Sequence, residues 1–405
     1  MNARSLAPAT QTEPATQAKP VVLPGTLRDR APEETWELVR PRMRDYGITR
    51  VAELTGLDTI GMPVWMATRP LATTVGISQG KGATPLLAQI AAVMEAIEIC
   101  LIERFHLAAD SFVATAAELD LPYSPTETTP LQRSVVSDRF PLPWVAAESL
   151  TDGTQTFAPL RLIAFDGVRD GRWRPPTVFT SSNGLAGGNS LAEATVHALL
   201  EVVERYSTSS LSRTSIRQRK VVDLRTLPDC WSRDLIEQLL AQDFWVEVVD
   251  CSTVPGTAAF AVFLWRSDMP SLYAGGGAHV LPEIALQRAL TEAVQSRMSV
   301  ISGVREDIGA VSYRGVRLPD PPPIVEPNHH WDAVPAPQFD ATSPSAELVD
   351  WLTGQINAMS GRPVLRVDLT PPDEPFAVCK VLAPGLPEVH HEANEELPRN
   401  PDPAD

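Results

Sequence analysis

Apolar residues recur with helical period through two stretches of this chain, and in each stretch a pair of glutamates interrupts the apolar run three residues apart. The first, GKGATPLLAQIAAVMEAIE, begins at Gly80 and carries Glu95 and Glu98. The second, NGLAGGNSLAEATVHALLEVVER, begins at Asn183 and carries Glu201 and Glu204. Residues three apart share a helix face, so each pair aims two carboxylates at one point. A glycine-rich turn precedes both helices. Further helical periodicity covers residues 33–43 and Ala346–Met359, and Val221–Val249 holds a helix followed by a strand. Short apolar or alternating runs predict strands at Thr177–Ser181, Ala258–Trp265 and Pro363–Leu369, while residues 117–143, rich in Pro, Ser and Thr, read as loop.

An isolated Glu-x-x-Glu is usually a solvated helix face. Here the glutamates lie among Ala, Val, Ile, Leu and Met, and the preceding turns repeat as well, so two independent signals coincide. Four such carboxylates suit hard cations, and Mg2+ in particular shares carboxylate and water oxygens with a substrate phosphate. An ATP site with metals bridging its phosphates therefore fits better than a structural metal. Gly80-Lys81-Gly82 is not a Walker A loop, because Val75 stands where the first glycine should be and Gly82 follows Lys81 in place of Ser or Thr.

These two segments resemble the paired ATP-binding elements of the YcaO family, enzymes that use ATP to activate backbone amides of ribosomally made peptides. A third segment, GGGAHVLPEIALQRALTEAVQSRMSVISGVRED from Gly275 to Asp307, is similar to the family's ALxRALTEAxQSR run and GxRED turn. Leu57–Pro70 resembles the first strand of the same domain, and VLAPGL, Val381–Leu386, is a weaker trailing echo. The resemblance covers roughly residues 35 to 310 and implies an α/β (α+β) fold, with pseudo-repeated sheet-plus-helix halves around a nucleotide site.

The same resemblance implies that Glu95, Glu98, Glu201 and Glu204 hold Mg2+ and that Lys81 contacts phosphate. It places Arg288 and Glu292 over the nucleotide, where an exposed helical ion pair is an equal reading, with Gln295, Arg297 and Arg305 behind them, and adds Glu193 and His197 as nucleotide contacts. For Glu193 a second reading stands equally, since Ser190 and Glu193 have capping-box spacing. No catalytic residue is assigned. The implied activity is ATP-dependent O-phosphorylation of backbone amides in a precursor peptide, giving a thioamide, azoline or amidine. A non-catalytic ATP-binding scaffold and a small-molecule kinase or ligase are the alternatives. Two departures lean away from ring formation: Ile99 stands at the family's first-helix arginine position, and the tail PRNPDPAD only approximates a Pro-x-Pro-x-Pro end. The first helix, EAIEICLIE, is closer to members that work beside a TfuA-type partner or stand alone in peptide antibiotic pathways. A TfuA-like or leader-docking protein is thus an expected partner besides the peptide, and a homodimer is left open.

Composition narrows the setting. A net charge of −16 argues against a general nucleic-acid or anionic-membrane surface. The sequence holds no run of eighteen apolar residues, so no membrane span is expected. Residues 1–30 read as a disordered arm and not a signal peptide, which makes the cytoplasm the expected location. Cys100, Cys230, Cys251 and Cys379 are scattered, without zinc spacing. The expected organisation is a catalytic core over 31–316, a Pro-rich linker over 317–344 with His329 and His330 solvated, a small closing unit over 345–387, and an acidic mobile tail over 388–405.

Overall fold

The computed structural model describes residues 20–128, 134–165, 175, 177–305, 322–335, 337–340 and 343–386. Its three longest helices each follow a glycine-bearing strand. Ile77–Lys81 leads into α1 (Pro85–Ala108), Leu185–Gly188 into α2 (Leu191–Ser209), and Met269–His279 into α3 (Pro282–Ser302). The starts are set locally. The Thr84 hydroxyl accepts the Leu87 N–H at 3.3 Å with Pro85 opening α1, and the Ser190 hydroxyl accepts the Glu193 N–H at 3.1 Å at the start of α2. Pro282 opens α3, and Gly303 closes it in the left-handed conformation at φ 62°.

Each of these strands is an edge of its own antiparallel sheet. The first sheet runs Arg50–Glu53, Val64–Thr68, Ile77–Lys81, and the second Lys220–Val221, Trp245–Asp250, Ala258–Arg266, Met269–His279. In the third, Leu185–Gly188 pairs with Ala377–Leu382, then come Leu365–Asp368 and Leu142–Ser149, the last also carrying Phe112–Ala114 and Gln155–Pro159. Each helix folds back onto its own strand at glycine. A methyl group on Gly80 would stand 2.1 Å from the Ala88 oxygen and the Ala92 nitrogen; on Gly277, 2.3 Å from the Ala285 oxygen and 2.5 Å from the Ala289 nitrogen; on Gly188, 2.5 Å from the Ala194 nitrogen. Helix backbone therefore touches strand backbone, which only glycine opposite alanine allows.

The spacing also reveals a third copy of the unit. Fifteen residues separate Gly80 from Glu95, Ala186 from Glu201 and Gly277 from Glu292, and three residues further stand Glu98, Glu204 and Gln295. The helices pack into the main apolar clusters: α1 through Ala92, Val93, Ala96 and Ile97, α2 through Ala198, Leu199 and Val203 against the helix Ser345–Ser360, and α3 through Ala285, Ala289 and Ala293. Pro85–Phe105 is long and apolar enough by composition to cross a membrane, but its apolar side chains supply one of these clusters.

Several expectations change. Residues 20–30, assigned to a disordered arm, include a hairpin of Val21–Leu23 and Thr26–Arg28 turned at Pro24-Gly25, with Gly25 at φ 79°. Residues 1–19 of that arm, 306–321 and the tail 388–405 lie outside the described residues. The linker is not a solvated crossing where described: Trp331 stacks on Phe260 at 5.5 Å, Val334 joins the core, and His329 pairs with Asp250 at 2.9 Å. The small closing unit expected over 345–387 is more central than expected, because Leu365–Asp368 and Ala377–Leu382 form the middle of the third sheet. Thr177–Ser181 contributes to no named strand; the sheet is entered at Leu185–Gly188.

Gly277→Ala should lower stability by about 1–3 kcal/mol through overpacking against backbone that cannot yield. Gly56, with nothing within 4 Å of its missing side chain, is the control, and Gly56→Ala should stay within about 0.5 kcal/mol. Denaturant unfolding of the two variants measures both, and equal effects would disprove the close-contact account.

Candidate active site

The three units open onto one cavity of about 970 Å3. Its wall includes Lys81, Glu95 and Glu98 from the first unit, Glu193, His197 and Glu201 from the second, and Arg288, Glu292 and Gln295 from the third, with Arg305 beyond the end of α3. The strand edges hold the acids in place. The Gln79 N–H donates to Glu95 Oε2 at 3.0 Å, the Gln79 carbonyl accepts from Gln295 Nε2 at 2.7 Å, and the Gly187 N–H donates to Glu98 Oε1 at 2.6 Å. Units one and three, and units one and two, are thus joined by edge amides bonded to a neighbouring helix.

Cations lie among the acids. Lys81 Nζ is 3.3 Å from Glu292 Oε2, Arg205 is 4.0 Å from Glu201 and 3.9 Å from Glu204, Arg288 is 4.0 Å from Glu204, and Arg305 is 4.0 Å from Glu95. Most of these separations are longer than a charge-assisted hydrogen bond, so these cations neutralise the acids at a distance without binding them directly. Glu204 lies beneath the wall, 3% exposed, against Gly276. Burial, then repulsion from Glu95, pushes the Glu98 carboxyl well above the usual range. Burial raises Glu201 to about 7, against the pull of Arg205, and raises Glu204, with Glu292 adding repulsion. Glu292 goes the other way: burial pushes it up, but Lys81, Arg205 and Arg288 together bring it below its ordinary value.

Two of the expected nucleotide contacts are placed differently. Arg297, assigned behind the nucleotide, does not line the cavity: it is 1% exposed, bonded to Asp58 at 2.8 Å and Asp268 at 2.7 Å, with Phe244 and Tyr273 against its guanidinium. Its position on α3 faces the sheet side, where two carboxylates satisfy it. Glu193 does line the cavity, but neither reading describes it fully. Ser190 supplies its half of the cap, whereas the Glu193 carboxylate accepts the Asp29 N–H at 2.7 Å, Arg28 at 3.0 Å and Asn189 at 3.0 Å. The sequence reading missed this contribution of Arg28, Arg30 and Thr35 to the cavity wall. The Pro-Gly turn between two short apolar runs was the available signal.

Whether these residues suit a magnesium nucleotide can be judged from their own chemistry. Repelling carboxylates at one wall are relieved by divalent cations. Among the described residues the Arg288 Nε and both His197 ring nitrogens are buried without a partner; Arg288 offers a donor, and the neutral imidazole of His197 one donor and one acceptor, to polar ligand atoms. Among the described residues no three His, Cys, Asp or Glu side chains converge closely enough to hold a metal by themselves. Cation coordination would then be completed by phosphate and water, as Mg2+ prefers, and the residues fit the pair.

Comparison with known proteins gives the same direction. A family model described as YcaO cyclodehydratase, ATP- and Mg2+-binding, matches residues 79–387. An uncharacterised protein of Mycobacterium tuberculosis is 34% identical over 367 residues, 89% of this chain and 83% of that one. An uncharacterised protein in the tfuA 3' region of Rhizobium leguminosarum bv. trifolii is 28% identical, covering 88% of each chain. Among solved structures, YcaO from Methanopyrus kandleri bound with AMPPCP and Mg2+ aligns with TM-score 0.68 and 21% identity, over 91% of this chain and 95% of that one. A heterocyclase in complex with substrate and cofactor aligns with TM-score 0.68 and 23% identity, over 91% of this chain; the chain spans about half of that protein, 55%.

A carboxyl raised on folding favours the folded state where it is protonated, so this contribution is present near pH 4.5 and is lost as pH rises through about 7 for Glu201. Mg2+ relieves the charge that then appears. The melting temperature in chelator should fall between pH 6 and pH 8, and the rise caused by Mg2+ with an ATP analogue should be larger at pH 8. Glu98→Gln should melt higher than the parent at pH 8 in chelator yet lose most of the Mg2+ response. A variant that keeps the full response would overturn the assignment of Glu98.

Proposed function

Since this chain belongs to the YcaO family, whose cofactors are ATP and Mg2+, we propose that it activates backbone amides of a ribosomally made precursor peptide, and that its product is a thioamide. The observation that carries the activity is the convergence on a single cavity of three strand–helix units, each bearing an acid fifteen residues after a small strand residue, Gly80, Ala186 or Gly277. Its volume, about 970 Å3, lies at the top of the roughly 300–1,000 Å3 usual for small-molecule sites. That leaves room for a peptide segment beside a nucleotide.

Bound with Mg2+, ATP supplies the phosphoryl group that makes an amide oxygen a leaving group. The balance needs no redox partner: sulfide forms the carbon–sulfur bond, the carbon–oxygen bond breaks, and the oxygen departs on phosphate. The chain's part is placement and charge neutralisation. Glu95, Glu98 and Glu201 face the cavity as cation ligands, with Glu204 behind them. Lys81 and Arg288 offer positive charge from opposite units, and Lys81 can leave Glu292 for a phosphate oxygen. Leu23, Pro24 and Gly25 of the hairpin form part of the cavity wall.

Two features favour sulfide over an internal side-chain nucleophile. Ile99 is 8% exposed in the core around α1, so the first unit supplies no guanidinium where the second supplies Arg205. The Rhizobium relative lies in the tfuA 3' region, which supports a TfuA-like partner for this chain as the source of sulfide. We place the reaction in the cytoplasm, where ATP is supplied.

With the precursor peptide encoded nearby, ATP, Mg2+, sulfide and any such partner, the peptide should gain about 16 Da per site, oxygen being replaced by sulfur. Loss of about 18 Da without any need for sulfide would instead establish ring formation by dehydration. In the same assay Glu204→Gln should lower peptide-dependent ATP turnover by at least about 100-fold, as expected when a charged group stabilising phosphoryl transfer is removed. Turnover at the parent rate would refute the metal assignment.

A further inference from the structure

The three glycine-bearing edge strands differ in one respect. Gln79 and Gly187, on the first two, have outward backbone groups bonded to side chains of the helices beside them. The third strand, Met269–His279, is the longest and extends six residues before Gly275. Which of its backbone groups point outward follows from the ladder. Cys251 N donates to Ala259 O at 2.9 Å, so Ala259 and its alternate neighbours on Ala258–Arg266 face Trp245–Asp250, while Ala258, Phe260, Val262 and Leu264 face Met269–His279. Their partners there are His279, Gly277, Gly275 and Tyr273. Leu272 and Ala274 therefore turn their N–H and C=O groups away from the sheet.

Neither residue's outward backbone has a hydrogen-bond partner among the described residues. Both residues are exposed, Leu272 by 42%, and both line the cavity. Two positions further along the same edge, Gly276 lies against Glu204. A strand edge that is open at one end and reaches the carboxylates at the other is suited to pair with an extended chain.

We propose that the substrate peptide binds as an added strand along Ser271–Ala274, its main chain hydrogen-bonded to Leu272 and Ala274, and that this seat delivers a backbone amide to the acids near Gly276. The inference rests on the proposed function for its occupant. Main-chain pairing accepts many side chains, which suits an enzyme acting on the amide itself, and it points successive carbonyls alternately toward the strand and away from it in the plane of the sheet, leaving every second one free. Leu272 and the neighbouring α3 residues Ser296 and Val300 bound the seat and select small or apolar side chains beside the reacting amide.

Hydrogen exchange on the full chain, with Mg2+ and a non-hydrolysable ATP analogue, tests this. The probe is an equimolar mixture of random dodecapeptides, alongside the same mixture with N-methylated backbones. Exchange at the Leu272 and Ala274 amides should slow by about tenfold with the first mixture and not with the second. Leu272→Pro removes one outward N–H without touching the ladder, a position where an edge strand tolerates proline. It should weaken peptide binding roughly fivefold while the melting shift caused by the nucleotide stays unchanged. No protection at these two amides, or equal protection by the methylated mixture, overturns the inference. If the precursor gains mass while Leu272 and Ala274 remain unprotected by it, the function stands and the seat is wrong. Protection without any modification of the precursor supports the seat and counts against the function.

Discussion

Backbone contact between a glycine strand and an alanine face of the following helix sets the rest of this molecule. At Gly80, Gly188 and Gly277 the helix lies so close that one methyl group would meet main-chain atoms. That contact fixes both the height of the helix above its strand and its rotation. Once these are fixed, the side chains further along the helix have little choice of direction, and Glu95, Glu201 and Glu292, each fifteen residues after Gly80, Ala186 or Gly277, come to stand at related points. A looser contact would let each helix roll, and rolling by one residue turns an acid by about 100° away from the shared cavity.

The electrostatics follow from that geometry and oppose it. Bringing Glu95, Glu98, Glu201 and Glu204 together in a partly dry wall raises the cost of their charges, and the nearby Arg205, Arg288 and Lys81 offset it only in part. The fold holds this tension because the apolar clusters beneath each helix are large and because edge amides at Gln79 and Gly187 grip two of the acids. The site is thus preorganised for cations at the expense of the empty protein's stability, a usual relation between function and local strain.

Much of this was readable from residue order, and the parts that were not share a physical cause. Helical spacing of Glu95 with Glu98 and of Glu201 with Glu204, and the glycines ahead of them, are local features that depend on neighbours in sequence. The third unit was read as a nucleotide helix but not as a repeat, because Gln295 stands where the other units have a second glutamate. Arg297 was misassigned since spacing alone does not show which helix face meets Asp58 and Asp268. The hairpin at Val21–Arg28 and the seating of Trp331 on Phe260 are held by distant partners, and strands of three residues or a proline-dense run carry almost no local signal. The same holds for Leu365–Asp368 and Ala377–Leu382, whose place in the middle of a sheet is decided by residues far earlier in the chain.

That last arrangement bears on how the protein is made. Leu185–Gly188 finds its strand partner only at Ala377–Leu382, so the second carboxylate helix emerges from the ribosome long before the sheet beneath it exists. At about 5–20 residues per second, the apolar underside of that helix waits on the order of ten seconds or more for its partner strand. Closing so long a loop is also slow, since the entropy is lost before the contacts form. The sheets of the first and third units are built from strands close by in sequence, although α1 also waits for Val367, Phe376 and Val378 to complete the cluster beneath it. The nascent chain therefore carries an unfinished site until Ala377–Leu382 has been made, and the segment from Leu185 to Ser209, which lacks its strand partner until then, stays unfinished longest.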